Sequence, residues 1–523
     1  MSGGKMIQVP FLNLREMFER KTAEFAENIF LSFYDDDITF REFDRRVNRL
    51  ANALLKLGIG KGDIVCVYAN NSPETLIAHF AIVKTGAVSG PINCWWQPPE
   101  IKYLLNDSQA KTAIVETCYV SNIKEIQKDC PHLTRIIEIG ETPSADRLPF
   151  HKLLDENSPQ LPPLEISPED DAFIFYTSGT TGNPKGVLLT HYNSLYAITG
   201  LQEGLGHRQG AEVALIFLPI FHVNAMFSCI GGFNGGVKIV LRQGFSASEF
   251  WEVVEKYRVT FWSAVPAVYN ILLQIPETAK GRDLSSVKFG ICGAAPMPIE
   301  TFRKFEKTFG VKIIEGYGLT EGTVASSINP IDGKRKIGSI GKPFPGQEMK
   351  ILDEDDNELP PGEVGELCVR GGNVMKGYLR KPEANAETLR SGWLHTGDMA
   401  YMDAEGYFFI VDRKKEMIIR GGENIYPKEI DNLLYSHPKI LEAAVVGIPD
   451  TIMGEEVKAY IVLKPQEQMT IVEVQDFCRQ NLASYKVPRY VEFIDELPKN
   501  IIGKTLKKHL KRRDASQEAV PEA

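Results

Sequence analysis

The stretch Tyr176-Thr177-Ser178-Gly179-Thr180-Thr181-Gly182-Asn183-Pro184-Lys185-Gly186 packs three glycines, a run of hydroxyl side chains and one lysine into eleven residues. The apolar run Ala172 to Phe175 precedes it and Val187-Leu188-Leu189 follows, which reads as strand, loop, strand. Glycines let the backbone turn tightly, so that several N–H groups can point at one anion. Ser and Thr hydroxyls add donors, and Lys185 adds a point charge. That is what a polyphosphate needs. The spacing G-x-x-x-x-G-K-[ST] is absent, so this is not a Walker A loop. A flexible surface loop of small residues is the competing reading.

On both sides of this loop, strands and helices alternate. Phe11, Leu14, Met17 and Phe18 have helical spacing, and Ile29 to Phe33 reads as a strand. Thr39-Phe40-Arg41-Glu42 is a capping-box pattern ahead of a helix whose apolar face carries Phe43, Val47, Leu50 and Leu54, with Gly58 closing it. Ser72-Pro73 opens another helix as cap and first residue. Ile64 to Tyr68 and Ala113 to Val115 are buried strands. Beyond a proline-rich connector at 159–171 and the glycine-rich loop, strands are expected at Ala214 to Leu218, Val237 to Leu241, Val259 to Ser263 and from Phe289. Continuous apolar strands between helices predict an α/β fold with doubly wound, largely parallel sheets. From about residue 340, short β-like runs between Pro/Gly turns predict a small antiparallel subdomain. After the charged break Asp412-Arg413-Lys414-Lys415 comes an α+β module. The expected domains are therefore 1–411, with the β-subdomain at about 340–411, then a mobile C-terminal domain at 412–510 and a disordered tail at 511–523.

The 523 residues carry a net charge of −9, which argues against a general nucleic-acid binder. Eight scattered cysteines form no C-x-x-C pair, so neither a zinc site nor a disulfide framework is indicated. The N-terminus shows no secretory pattern, and the apolar stretch near Val213 to Phe227 is broken by Pro219, His222 and Asn224. A cytoplasmic protein without a transmembrane segment is expected.

Three further stretches carry chemistry. Thr320-Glu321 follows a strand and the turn Glu315-Gly316-Tyr317-Gly318. A hydroxyl beside a carboxylate can contact an α-phosphate and hold Mg²⁺, which favours one or two carboxylates plus phosphate oxygens. A capped helix start at Thr320 is the plainer alternative. Gly392 to Asp398 ends in an acid able to accept ribose hydroxyls, though Asp after Gly is commonly a turn residue. Gly503-Lys504 places a lysine after a turn, within a basic C-terminal run that could be solvated surface.

The order of Tyr-Thr-Ser-Gly-Thr-Thr-Gly-x-Pro-Lys-Gly, Tyr-Gly-Leu-Thr-Glu, Gly-Trp-Leu-His-Thr-Gly-Asp, Asp-Arg-Lys-Lys-Glu and Gly-Lys resembles the acyl-adenylate-forming superfamily, from about residue 12 to 510. That superfamily includes acyl-CoA synthetases, firefly luciferase and peptide-synthetase adenylation domains. The pattern looks most like the acyl-CoA synthetase branch. The resemblance implies an ATP- and Mg²⁺-dependent ligase that activates a small carboxylic acid as acyl-AMP and passes it to coenzyme A. Crotonobetaine/carnitine–CoA ligation and transfer to an acyl carrier protein are the alternatives, and a homodimer is left open.

It also implies roles. Thr177, Ser178, Gly179, Thr180, Thr181 and Lys185 match the loop over the β- and γ-phosphates. Thr320 matches the α-phosphate contact and Glu321 the Mg²⁺ carboxylate. Gly293, Ala294, Ala295 and Pro296, with Glu315, Gly316, Tyr317 and Gly318, match the adenine slot. Asp398 and Arg413 match the ribose contacts, and Lys504 the adenylation lysine. Lys415 matches the hinge, and Gly421, Gly422 and Glu423 the segment beside the CoA tunnel. His222 matches the carboxylate side of the acyl pocket; a lone His in an apolar run is otherwise a packed core residue. The expected pocket walls lack fixed charge, which favours an aliphatic or alicyclic acid over an amino acid. Trp95-Trp96 could offer aromatic faces to a trimethylammonium group, or simply pack. Some relatives carry a lysine four residues after the hinge; here Ile419 stands there, so no thiolation role is carried over to it.

Overall fold

The computed structural model of the chain describes residues 7–141, 143–144, 146–177, 183–206, 210–295, 297–421, 423–499 and 505–517. Local sequence signals set several helices. Thr39 accepts the N–H of Glu42 at 3.2 Å and starts the helix Phe40–Lys56, beyond which Gly58 turns the chain at φ +76°. Ser72 accepts the N–H of Thr75 at 3.1 Å and starts Pro73–Lys84. That helix is buried on nearly every face, including its last residue, Lys84, whose Nζ pairs with Asp44 at 2.8 Å.

Its burial follows from its place between two large sheets. In the first, the order is Lys342–Pro343, Ser327–Ile328, Ile313–Tyr317, Phe289–Cys292, Phe261–Ala264, Val213–Ile216, Lys238–Leu241, Ile29–Phe33 and Asp36–Thr39. Its central pairings are parallel, and its margins are antiparallel. In the second, the order is Gly377–Tyr378, Lys185–Thr190, Asp171–Thr177, Val88–Pro91, Ile64–Tyr68, Thr112–Glu116, Arg135–Ile139 and Leu148–Pro149. One apolar core reaches both sheets through the helices between them. Phe80 lies at its centre, 4.3 Å from the ring of Phe18 and 5.6 Å from that of Phe233.

Glu348–Leu352, Gly365–Arg370, Leu394–Met402 and Phe408–Arg413 form a separate antiparallel sheet. The last sheet pairs Ile418–Arg420, Glu423–Ile425, Ile440–Asp450 and Gly454–Leu463, with Tyr490–Phe493 alongside, and has its own core. The expectation of a disordered tail from residue 511 needs correction for 511–517, which belong to the helix Lys507–Gln517. Composition alone missed the anchor: Leu510 is 2% exposed and packs with Tyr460, Ala444 and Leu497. No helix among the described residues is long and apolar enough to cross a membrane.

Candidate active site

The strands that flank the glycine-rich stretch, Asp171–Thr177 and Lys185–Thr190, pair antiparallel. Thr177 and Lys185 face each other across the last rung, and both line a cavity of about 710 Å³. Ser178, Gly179, Thr180 and Thr181 lie outside the described residues. This strand pair is fixed in two ways. Tyr176 donates its hydroxyl to Asp107 at 2.8 Å. Gly186 has no room for a side chain, since a Cβ there would come within 2.8 Å of Ile174.

The strand Ile313–Tyr317 delivers the next group of residues to the same cavity. Gly316, Tyr317, Gly318, Thr320 and Glu321 all line it. A Cβ on Gly318 would lie 1.8 Å from the carbonyl oxygen of Val324, so only glycine fits. Thr320 is not a helix cap: it begins a short 3-10 turn, Thr320–Gly322, and Leu319 holds the cap position. The turn ends in Thr323 and Val324, both left-handed at φ +48° and +77°. A β-branched residue there is strained, and such strain persists only where neighbours over-determine it. Here Thr323 donates to the Asn373 carbonyl at 2.6 Å and Asn373 donates to that of Gly322 at 3.0 Å.

Glu321 accepts the Tyr378 hydroxyl on Oε1 at 2.9 Å. The Tyr378 ring also lies 4.9 Å from Lys185 Nζ. Tyr378 therefore joins Lys185 to the acidic residue of the turn. No local pattern marks it; its only signal is its pairing with Val187, far away in sequence. One carboxylate whose second oxygen has no hydrogen bond among the described residues suits Mg²⁺, which takes its remaining ligands from phosphates and water.

Asp398 and Arg413 face each other on neighbouring strands and pair at 2.8 Å, and Asp398 also accepts the Tyr317 hydroxyl at 2.5 Å. Burial works against the Arg413 charge most strongly, but Asp398, Tyr317, Glu321 and Glu416 together outweigh it and hold the guanidinium above its ordinary value. Burial, and then Asp398, push the Tyr317 phenol well up. Gly293 and Ala294, at the end of Phe289–Cys292, line the cavity opposite, with Ala294 left-handed at φ +64°. Ala295 is not among the lining residues, and Pro296 lies outside the described ones. Glu315 is buried behind the turn, accepts the Gly338 N–H at 2.8 Å, and is pushed up to about 7 by burial.

His222 caps the helix Val223–Gly235 without a side-chain bond and lines the cavity. Burial pushes it down to about 4, so the ring is neutral near pH 7, and its Nε2 is buried with no partner among the described residues. Trp95 packs on Phe221, ring centroids 5.0 Å apart, and is not among the cavity's lining residues. Beyond His222 the lining is mainly apolar, with Phe227, Gly231, Gly235, Phe261 and Phe344, and the polar side chains of Asn224 and Ser228 lie among them.

The C-terminal residues are only partly gathered in. Lys415 sits in the 3-10 turn Lys414–Glu416, and Lys414 Nζ lies 3.8 Å from Glu366. Gly421 and Glu423 are exposed and away from the cavity wall; Gly422 and Lys504 lie outside the described residues. Sequence reasoning missed Lys428. Its N–H donates to Asp412 at 2.7 Å, and its Nζ donates to the Ile410 carbonyl at 2.8 Å. Burial pushes it down to about 8, although Asp412, Glu315 and Asp398 all favour its charge.

Two wound sheets over a shared helical core, a phosphate-type hairpin and a cavity completed by a small β-sheet define a two-unit α/β enzyme of the adenylate-forming fold. The pattern described as AMP-binding enzyme matches residues 18–379, and that described as AMP-binding enzyme C-terminal domain matches 429–504. The chain belongs to this family of AMP-binding enzymes. It is 37% identical to a long-chain-fatty-acid–CoA ligase of Bacillus subtilis, covering 96% of this chain and 95% of the relative. It is 36% identical to a crotonobetaine/carnitine–CoA ligase of Citrobacter koseri, covering 97% and 99%. It superposes on the crystal structure of the anthranilate CoA ligase AuaEII in complex with anthranoyl-AMP, with a TM-score of 0.90, 30% identity, and 98% and 100% of the two chains covered. It is an acid–thiol ligase that uses ATP, Mg²⁺ and CoA and works through an acyl-AMP.

Proposed function

We propose that this ligase activates an uncharged, mainly aliphatic acid. The observation that carries this reading is the single cavity whose polar end holds Thr177, Lys185, Thr320 and Glu321 and whose inner end is walled by Phe227, Phe261 and Phe344. Charge would sit with the phosphates and hydrocarbon with the apolar wall.

In this reading the acid's carboxylate lies beside neutral His222, whose ring can donate one N–H to it. A carboxylate oxygen attacks the α-phosphorus, the bond to the β-phosphate oxygen breaks, and pyrophosphate leaves. Thr177 and Lys185, with the loop Ser178 to Thr181, hold the departing phosphates. Thr320 and Lys504 attend the α-phosphoryl oxygens. Mg²⁺, when bound at Glu321, neutralises phosphate charge. The Tyr317 ring and the backbone of Gly293 to Pro296 and Glu315 to Gly318 bracket adenine, while Asp398 and Arg413 hold ribose. The remaining work is positioning and charge compensation. The C-terminal domain then turns at Lys415, withdrawing Lys504 and bringing Gly421 to Glu423 to the CoA path. The CoA thiol attacks the acyl carbon, its proton is lost to solvent, and AMP leaves.

A second reading, crotonobetaine or carnitine, draws support from the three phenylalanine faces, which could receive a trimethylammonium group. Against it, the acidic lining residues, Glu321, Glu366 and Glu387, belong to the phosphate end and the small β-sheet. A panel of aliphatic, aromatic, amino and trimethylammonium acids, scored for AMP and acyl-CoA, tests both. Aliphatic acids should lead; preference for an amino or aromatic acid would overturn the reading. Replacing CoA with a phosphopantetheinylated carrier protein tests the acceptor.

A further inference from the structure

Away from the phosphate end the cavity is lined mainly by apolar residues, with a few short polar side chains such as Ser228 and Ser327 and one long amide. Gln202, on the helix His191–Leu205, lines it among Leu201, Leu205, Phe261 and Phe344. Its Oε1 accepts from Nδ2 of Asn234 at 2.6 Å, across to the helix Val223–Gly235. The pair shares that one hydrogen bond among the described residues, and Asn234 Oδ1 is buried with no partner. Turning both amides over exchanges donor for acceptor but not the deficit. Two amides joined by one bond still leave one end of Gln202, a cavity-lining residue, with no hydrogen bond among the described residues. An unpaired amide beside hydrocarbon is unfavourable. A leucine would serve a plain hydrocarbon pocket better.

We propose that Gln202 reads a neutral hydrogen-bonding group, a hydroxyl or keto oxygen, at the far end of the acyl chain, so that the preferred acid is oxygenated at or near its ω-carbon. This rests on the aliphatic-acid reading above and narrows it. A second carboxylate is disfavoured because the cationic residues lining the cavity, Lys185, Arg390, Arg413 and Lys414, belong to its phosphate and hinge end. Chain length follows from the helix that forms one wall. Val223–Gly235 has 13 residues, so its ends, near His222 and Asn234, stand about 20 Å apart at ~1.5 Å per residue. That is the reach of a medium to long chain.

The test measures kcat/KM for acyl-CoA formation with two matched series, unsubstituted and ω-hydroxy acids, from octanoate to hexadecanoate. The wild type should prefer the ω-hydroxy acid over its unsubstituted partner by roughly tenfold at one length, the yield of one neutral hydrogen bond, with the preference fading at other lengths. Gln202→Leu should reverse the preference. The ratio is taken within one preparation, so a partial folding defect cancels. Gln202→Glu should move the preference to the ω-amino acid of the same length. Equal use of both series by the wild type, or an unchanged ratio in Gln202→Leu, overturns the inference and leaves the aliphatic ligase standing. If neither series is turned over, the aliphatic reading falls first and this inference with it.

Discussion

Tyr378 ties Lys185 and Glu321, the two ends of the proposed phosphate site, together through a ring face and a hydroxyl. Removing the hydroxyl would leave Glu321 unsupported while keeping the ring under Lys185. A hydrogen bond to a charged group contributes about 1.5–3 kcal/mol. Tyr378→Phe should therefore slow ATP–pyrophosphate exchange about tenfold or more and raise the Mg²⁺ concentration needed for half-maximal exchange. Unchanged exchange at limiting Mg²⁺ would remove Tyr378 from the site. Lys504→Ala addresses a different step. It should cripple adenylate formation yet spare the CoA-dependent use of preformed acyl-AMP; equal loss of both half-reactions would contradict its role. Of these two residues the sequence pointed only to Lys504, through the family resemblance of Gly503-Lys504, and that residue lies outside the described ones. Tyr378 becomes visible only when a short strand pairs with one nearly two hundred residues earlier.

At the scale of elements, what could be read was what neighbours in sequence determine. The caps at Thr39 and Ser72 and the two strands that flank the glycine-rich stretch are of this kind. Strand ends were less legible: the expected strand Ala214 to Leu218 is Val213–Ile216, since Pro219 forces the chain out of the ladder's geometry. Sheet order was not legible at all. Nothing local places Ile29–Phe33 against Lys238–Leu241, because that pairing is long-range. The helix Lys507–Gln517 was misread for a related reason: its composition is charged, and contacts distant in sequence decide its fate, the packing of Leu510 and the pairing of Lys507 with Asp431 at 2.8 Å. Leu510→Ala should therefore destabilise the C-terminal unit by about 2–4 kcal/mol, as burial of one leucine in a packed site predicts. Chemical denaturation followed by a probe in that unit measures it, and a change below about 0.5 kcal/mol would show that the helix does not rely on Leu510.

At the scale of the molecule, Glu315 and Lys428 are opposite charges whose burial costs more than their attraction returns. Glu315 moves from an ordinary 4.5 up to about 7, and Lys428 from 10.5 down to about 8. For Glu315 the folded protein holds the proton more tightly than the unfolded chain. Its contribution to stability is complete below about pH 4.5 and drains away as pH rises through about 7. Lys428 behaves in mirror image, contributing above about 10.5 and losing that contribution as pH falls through about 8. Glu315→Gln should abolish the Glu315 loss, which amounts to up to about 3 kcal/mol between pH 5 and 7.5. Urea midpoints at the two pH values check this; parallel shifts in wild type and variant would refute it.

Lys428 has one more consequence. Its two bonds, to Asp412 and to the Ile410 carbonyl, fasten the helix Pro427–Tyr435 to the strand that ends at Arg413, directly ahead of the turn holding Lys415. A rotation proposed at Lys415 must unfasten them once per cycle. The passage from adenylate to thioester then has its own clock. Acyl-CoA should emerge after a lag behind pyrophosphate in a single turnover, and Lys428→Ala should shorten that lag, with rapid-quench sampling as the stopwatch.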